Sequence, residues 1–394
     1  MTSVAVRVRL VALTTAVLTV AGPACANTRD SDSTAASAPT TAAEPTPTTR
    51  PSCEAALPAA WQQAIDGSGV NTGGISNVPL EVGRAGEVVA ARDSGDTRDL
   101  LLIGADKTVA EVYAVPDPNL NRVGSVAMDE RWIVVGVERA PRGANGIVPP
   151  LFRIDIVDRQ GGPVRTAVQS PEEDLESGGA TIDSVALFGG KVYWITRLTY
   201  VADTGTIKSY DLNTGAVADV SSGAMRNVRT TAAGLAWDVA WGQNGTRAEL
   251  KIPDALPPPV AGALGTGQDQ MTLATDGTAY AWFTGTDQGG TGIAWWSPTA
   301  GLVRITRKDP DGKSLLSPLY VVGPYVVIAR GRQDQKFDTS ATIIDSRSGA
   351  VTYLRETVGG ADGGTVAVGF GGNLKRLPTR AGIVRADTLP PFSC

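Results

Sequence analysis

A short hairpin motif recurs in this chain at nearly constant spacing. It reads as an apolar residue, Asp or Ser, three variable residues, Gly, one variable residue and Val. The copies are VDRQGGPV from Val157, YDLNTGAV from Tyr210, WSPTAGLV from Trp296 and IDSRSGAV from Ile344. Glycine at this place suits the positive-φ position of a tight hairpin, and Asp or Ser can bind the backbone amides of the turn. KIPDALPPPV, around Ile252, fills the gap between the second and third copies with prolines in place of the turn, which gives spacings of 42 to 53 residues.

A second, more apolar hairpin precedes these motifs. Its copies are EVGRAGEVVAA from 81, SVAMDERWIVVGV from 125, SVALFGGKVYWIT from 184, RTTAAGLAWDVAW from 229, TLATDGTAYAWFT from 272, LYVVGPYVVIA from 319 and TVAVGFGG from 365. A repeat of about 45 residues that contains two hairpins is typical of a four-stranded propeller blade. The pattern therefore predicts an all-β, seven-bladed β-propeller of four-stranded antiparallel blades, with six or eight blades as alternatives.

The motifs also carry a resemblance to a known group. YDLNTGAV and IDSRSGAV resemble the outer hairpins of bacterial quinoprotein-type and surface-layer-type propeller repeats, and the resemblance covers most of residues 80–390. It implies an extracytoplasmic propeller but no particular activity. The chain departs from WD repeats, since it contains no histidine, and the Pro-Asp-Gly turn of the Tol-associated type occurs once, in DPDGK from Asp309.

The beginning of the sequence predicts export. Arg7 and Arg9 precede VALTTAVLTVAG, an apolar run too short to span a bilayer stably, and small residues follow it. Residues 1–24 are therefore predicted to be a signal peptide. Cleavage before Cys25 would make it the lipid-bearing first residue, because GPAC resembles a bacterial lipobox. Cleavage after Ala26 is the alternative. We expect an extracytoplasmic protein, either a cell-membrane lipoprotein held only by this anchor or a secreted protein.

The rest of the chain divides into two parts. Residues 25–52 are rich in Thr, Ser, Ala and Pro and contain almost no large apolar side chain, so they are predicted to be a disordered tether. Residues 53–394 have the strand-and-turn composition of the propeller domain. One helix is predicted near its start, in AALPAAWQQAID, with Trp61 and Ile65 on one face.

Two cysteines stand at the ends of the predicted domain. Cys53 and Cys394 are the only cysteines besides Cys25, and thiols in an oxidising compartment tend to form disulfides. A propeller whose first and last blades are not joined would open at an exposed strand edge. We therefore predict a Cys53–Cys394 disulfide that closes the ring. The segment after Cys53 is expected either to supply the outermost strand of the last blade or to cap that blade with the Trp61 helix.

The spacing also predicts where a ligand binds. The turns within the hairpins are short, so the long connections, including the blade-to-blade connections SPEEDLESGG and TVGGADGG, are expected on the opposite rim, which we call the long-loop face. Long loops on a rigid scaffold commonly carry binding sites. The candidate ligand-binding residues are Arg139, Arg142, Glu172, Glu173, Asp174, Glu176, Arg197, Asp203, Gln268, Asp269, Asp287, Arg330, Arg332 and Asp334. Four arginines at or near the ends of second strands either bind an anion or form salt bridges on the blade flanks: Arg139, Arg197, Arg330 and Arg332.

Composition restricts the chemistry. Without histidine, histidine-dependent quinoprotein oxidation, Ser-His-Asp hydrolysis and histidine-ligated zinc are excluded. We assign no catalytic residue, metal or cofactor. The net charge of −5 argues against nucleic acid as a partner. Trp132, Trp194, Trp237 and Trp282 are expected in the core between blades.

These observations lead to one hypothesis and one alternative. The hypothesis is a monomeric, extracytoplasmic propeller that acts as a non-catalytic binding or scaffolding module for a protein or glycan of the cell envelope. The alternative is a carboxylate-based hydrolase or lyase that acts on glycans or lactones, which three or more acidic side chains converging at the channel mouth would favour.

Overall fold

The computed structural model describes most of the predicted propeller domain. The described residues are 47–139, 151–171, 181–198, 204–231, 234–239, 249–251, 256–265, 273–285, 291–306, 318–329, 341–372 and 376–394. The predicted signal peptide therefore lies outside the described residues. None of the helices within these ranges is long and apolar enough to cross a membrane.

The described residues consist mainly of short strands. In chain order the strands are β1 (Thr48–Pro51), β2 (Cys53–Glu54), β3 (Gly69–Val70), β4 (Ser76–Val82), β5 (Val88–Asp93), β6 (Arg98–Ile103), β7 (Val109–Ala114), β8 (Asn121–Met128), β9 (Trp132–Arg139), β10 (Arg153–Asp158), β11 (Arg165–Gln169), β12 (Thr181–Phe188), β13 (Lys191–Arg197), β14 (Gly205–Asp211), β15 (Val217–Gly223), β16 (Met225–Thr231), β17 (Gly234–Val239), β18 (Glu249–Lys251), β19 (Leu273–Thr275), β20 (Tyr280–Gly285), β21 (Thr291–Ser297), β22 (Gly301–Thr306), β23 (Leu319–Val322), β24 (Tyr325–Ile328), β25 (Ala341–Asp345), β26 (Ala350–Leu354), β27 (Thr357–Asp362), β28 (Thr365–Phe370) and β29 (Arg380–Arg385). The helices are α1 (Ala59–Ser68) and α2 (Pro258–Gly265), and a 3₁₀ turn covers Ala386–Thr388.

Within the described ranges these strands form seven sheets. Their orders are β4-β5-β6-β7, β8-β9-β10-β11, β12-β13-β14-β15, β16-β17-β18, β19-β20-β21-β22-β1, β23-β24-β25-β26-β2 and β27-β28-β29-β3. First strands of neighbouring sheets contact each other in the pairs β4–β8, β8–β12, β12–β16, β19–β23 and β23–β27, and β27 of the last sheet contacts β4 of the first. The sheets therefore close into a ring, and the predicted β-propeller fold is confirmed. The number of blades stays a prediction.

The hairpin motif has the predicted turn chemistry. Its glycines, Gly162, Gly215, Gly301 and Gly349, all have positive φ. The second residue of the motif binds the turn backbone: Asp211 Oδ1 accepts hydrogen bonds from the Asn213 and Thr214 amides at 3.0 and 2.9 Å. The equivalent bonds to Asp158, Ser297 and Asp345 measure 2.9, 3.2 and 3.0 Å. Local sequence thus determines these turns.

The first part of the domain, residues 48–70, holds three sheets together, and we call it the N-terminal strap. Strand β1 pairs in parallel with β22, and β2 pairs in parallel with β26. Strand β3 is the outermost strand of the last sheet, where it pairs with β29, and the predicted Trp61 helix is α1. Thr48–Pro51 was predicted to be part of the disordered tether of residues 25–52 and is instead strand β1.

Two other predictions are corrected. TVGGADGG, predicted as a blade connection, forms β27 and the turn after it, so β27 and β28 are the last inner hairpin instead of TVAVGFGG. A Cβ at Gly359 would lie 1.8 Å from the Pro79 carbonyl oxygen, and only glycine lets β27 approach β4 so closely. In KIPDALPPPV, strand β18 is followed by α2. Proline cannot donate a ladder bond but is well tolerated in the first turn of a helix.

The core lies between the sheets, as predicted from the positions of four tryptophans in the sequence. Trp132, Trp194, Trp237 and Trp282 are all buried. Trp295, on β21, is buried and donates a hydrogen bond from Nε1 to the Gly323 carbonyl oxygen at 3.1 Å. Because α2 packs its Val260 into the same cluster as Trp282, it covers part of the fifth sheet.

Candidate functional site

Two residues of the predicted long-loop face lie in the described part of the chain, at the ends of second strands. Arg139 ends β9, and its guanidinium carbon lies 5.6 Å from the centre of the Phe152 ring. Arg197 ends β13. The remaining predicted residues lie outside the described residues: Cys25, Arg142, Glu172, Glu173, Asp174, Glu176, Asp203, Gln268, Asp269, Asp287, Arg330, Arg332 and Asp334.

Arg197 is held by contacts within the protein. Its side chain is buried, and Nη2 lies 3.2 Å from Asp183 Oδ2. The same nitrogen donates a hydrogen bond to the Met225 carbonyl oxygen at 2.6 Å, which joins the third sheet to the first strand of the fourth. This arrangement corresponds to the salt-bridge alternative of the sequence analysis rather than to an open anion site.

The structure shows another group of polar residues on the first strands of the sheets, close to the ring closure. We call Glu81, Tyr320 and Asp362 the inner-strand cluster. Glu81 lies on β4 of the first sheet, Tyr320 on β23 of the sixth and Asp362 at the end of β27 in the seventh. Ring closure therefore brings together residues that are far apart in sequence.

Glu81 is the central member of this cluster. Although the residue is half-buried, protein surrounds its carboxyl group, and burial raises the pKa of this carboxyl to about 8. The nearby charge of Asp362 raises the pKa further, while a hydrogen bond from the Val82 amide to Glu81 Oε1, at 3.1 Å, lowers it. Glu81 is therefore mostly protonated at neutral pH and can donate a hydrogen bond or a proton.

The pKa values of the two other members, Tyr320 and Asp362, are also raised. Burial raises the pKa of the Tyr320 hydroxyl, and the charge of Glu81 raises it further. The Tyr320 hydroxyl donates a hydrogen bond to the Gly359 carbonyl oxygen at 3.1 Å. Burial also raises the pKa of Asp362, with further contributions from the charges of Asp276 and Glu87. Raised pKa values such as those of Glu81 and Asp362 are common at functional sites.

Two of the strands that carry the cluster, β4 and β27, contain a shift in their pairing register. The pairing register shifts between Pro79 and Glu81 in β4, and between Val358 and Gly360 in β27. A bulge breaks the normal alternation of side chains and often lies beside a functional site, where it redirects a side chain. Glu81 follows directly after such a bulge, so its orientation is not the one that simple alternation predicts.

The cluster has the groups for acid–base chemistry but no recognisable metal site. Among the described residues, no group of three or more Cys, Asp or Glu side chains is arranged to hold a metal ion. Sequence analysis missed the cluster, although Glu81 was a possible signal because it is the one charged residue of strand β4. That Tyr320 and Asp362 are its neighbours can be seen only in the folded ring.

The disulfide lies at the outer side of the same ring closure. Cys53 and Cys394 are bonded, as predicted. Asp345 is fully buried beside them and accepts hydrogen bonds from Arg347 Nε and Nη2 at 2.8 and 2.7 Å and from the Phe392 amide at 3.0 Å. Trp61 Nε1 donates to the Pro390 carbonyl oxygen at 2.9 Å. The C-terminal residues are thus fixed by several independent contacts.

Comparisons with known proteins identify similar folds only. No protein-family model matches the sequence, and no curated protein does. An oligogalacturonate lyase of Vibrio parahaemolyticus is 10% identical, with a TM-score of 0.48, and the match covers 78% of this chain and 91% of that protein. YCF48 bound to a D1 peptide is 11% identical, with a TM-score of 0.48 and coverage of 84% and 99%. A streptogramin B lyase is 11% identical, with a TM-score of 0.42 and coverage of 80% and 95%. All three are β-propeller proteins.

Proposed function

We propose that this protein is an extracytoplasmic β-propeller that acts as a non-catalytic binding module of the cell envelope. The main observation that supports this proposal is the disulfide between Cys53 and Cys394, which joins the two ends of the domain at the outer side of the ring. Disulfides persist in oxidising compartments and are rare in the cytosol. The signal-peptide pattern of residues 1–24 agrees with this location, either with a lipid on Cys25 or as a secreted protein.

A rigid ring suits a binding role. The N-terminal strap joins the fifth, sixth and seventh sheets, and the described part of the chain packs its large aromatic residues into the core. Such a scaffold holds the strand ends that flank its connections in fixed positions, which lowers the entropy lost on binding. We propose a protein or glycan of the envelope as the partner, bound at the long-loop face by a monomer without a cofactor.

The test is capture of a partner from the envelope with the full chain. Charge reversals in residues 331–340 or in residues 170–179 are expected to abolish capture while the melting temperature changes little, because substitutions in surface loops usually alter stability by less than about 0.5 kcal/mol. Gln160→Lys, a charged substitution at an exposed position of the short turn between β10 and β11, is the matched control. Equal loss of capture from both sets of variants would contradict binding at the long-loop face.

The inner-strand cluster favours a second candidate, a carboxylate-based hydrolase or lyase that acts on glycans or lactones. Its supporting observation is Glu81, whose pKa is raised to about 8 and which is therefore able to act as a general acid at neutral pH. Turnover of a panel of acidic oligosaccharides and lactones tests it. Glu81→Gln and Asp362→Asn are expected to abolish turnover, whereas Asp219→Asn, a change on the outer strand β15, leaves it unchanged. Absence of turnover by the wild-type protein across the panel would exclude this candidate.

A further inference from the structure

We draw no further inference here: the strongest candidate, the crevice between the turns of the first and seventh inner hairpins, where Glu87 Oε2 and Thr365 Oγ1 have no hydrogen-bond partner among the described residues, carries nothing because both atoms are closed off from solvent, Glu87 Oε1 is already paired with Arg159 Nη2 at 2.8 Å, and the remaining carboxylate there, Asp362, belongs to the site already described.

Discussion

The Cα atoms of Cys53 and Cys394 lie 5.9 Å apart although 341 positions separate the two residues in sequence. The bond joins β2, on the edge of the sixth sheet, to the segment that follows the last sheet. An aromatic cluster joins the same parts of the chain. The Trp61 ring packs edge-on to the Tyr325 ring, with ring centres 5.0 Å apart, and its centre lies 5.1 Å from that of the Phe392 ring. The ring is therefore closed by a covalent bond, an aromatic cluster and the outermost strand β3 together.

Reduction of this disulfide should loosen the closure before the rest of the ring. On the loop-entropy model a bond across so long a loop contributes up to about 6 kcal/mol to the free energy of unfolding, and residual structure in the unfolded chain reduces this contribution. We expect a lower urea midpoint for Cys394→Ser, with amides of residues 76–115 and 365–390 gaining hydrogen exchange first. Earlier exchange in residues 184–231 would contradict this order.

Gly359→Ala should destabilise the protein strongly. A Cβ at this position would lie 1.8 Å from the Pro79 carbonyl oxygen and 2.3 Å from its carbonyl carbon, so β27 and β4 would have to separate. Overpacking typically costs about 1 to 3 kcal/mol, and we expect a loss at the upper end of this range because the clash is with backbone atoms; urea unfolding measures it. Gly67→Ala is the control. It lies in α1 with nothing within 4 Å of its added Cβ, and it should be neutral or stabilising. Equal stability of the two variants would exclude close packing of β27 on β4.

Glu81 should make stability depend on pH. The pKa of Glu81 is about 8 in the folded protein and 4.5 for a freely solvated glutamate, so the unfolded chain releases its proton first as the pH rises. The stabilising contribution is complete below pH 4.5 and is lost as the pH rises through 8. We expect the urea midpoint of the wild-type protein to fall between about pH 5 and pH 9, and the fall to be smaller for Glu81→Gln. A fall of the same size in both proteins would assign the titration to another group.

Asp345→Ala should destabilise the closure of the C-terminal segment. The fully buried carboxylate accepts hydrogen bonds from Arg347 and from the Phe392 amide, and its removal leaves the buried Phe392 amide without this acceptor. Because Arg347 is 44% exposed, water can solvate it, and we expect a cost of about 1 to 3 kcal/mol for the unsatisfied amide. Asp387→Ala, in an exposed pair with Arg385, is the matched control and should cost less than about 1 kcal/mol. The difference is measured as a shift in melting temperature, and similar shifts for both variants would show that Asp345 is not a structural anchor.

Much of the fold follows from local sequence. The hairpin motif specifies its own turn, since Gly215 adopts positive φ and Asp211 binds the turn amides within the same eight residues. The predictions that failed depended on packing between sheets. TVGGADGG has the composition of a loop, and it becomes strand β27 because its glycines allow backbone contact with β4.

The candidate site was less predictable than the fold. The residues chosen from long connections fall mostly outside the described ranges, and Arg197 is held in a buried ion pair. The inner-strand cluster was missed because the property that marks it, a raised pKa, results from desolvation by strands distant in sequence. No spacing rule connects Glu81 to Tyr320.

The sequence by itself determined the repeat, the turn types, the propeller class and the pairing of the two cysteines in the domain. These features depend on backbone preferences within a few residues, or on the small number of thiols that can pair. Only the tertiary structure decided that the N-terminal strap crosses three sheets, that β27 packs on β4, and that Glu81 lies beside Tyr320 and Asp362. The physical reason is that burial, close packing and electrostatic coupling depend on which strands become neighbours when the ring closes. Those strands are not adjacent in the chain.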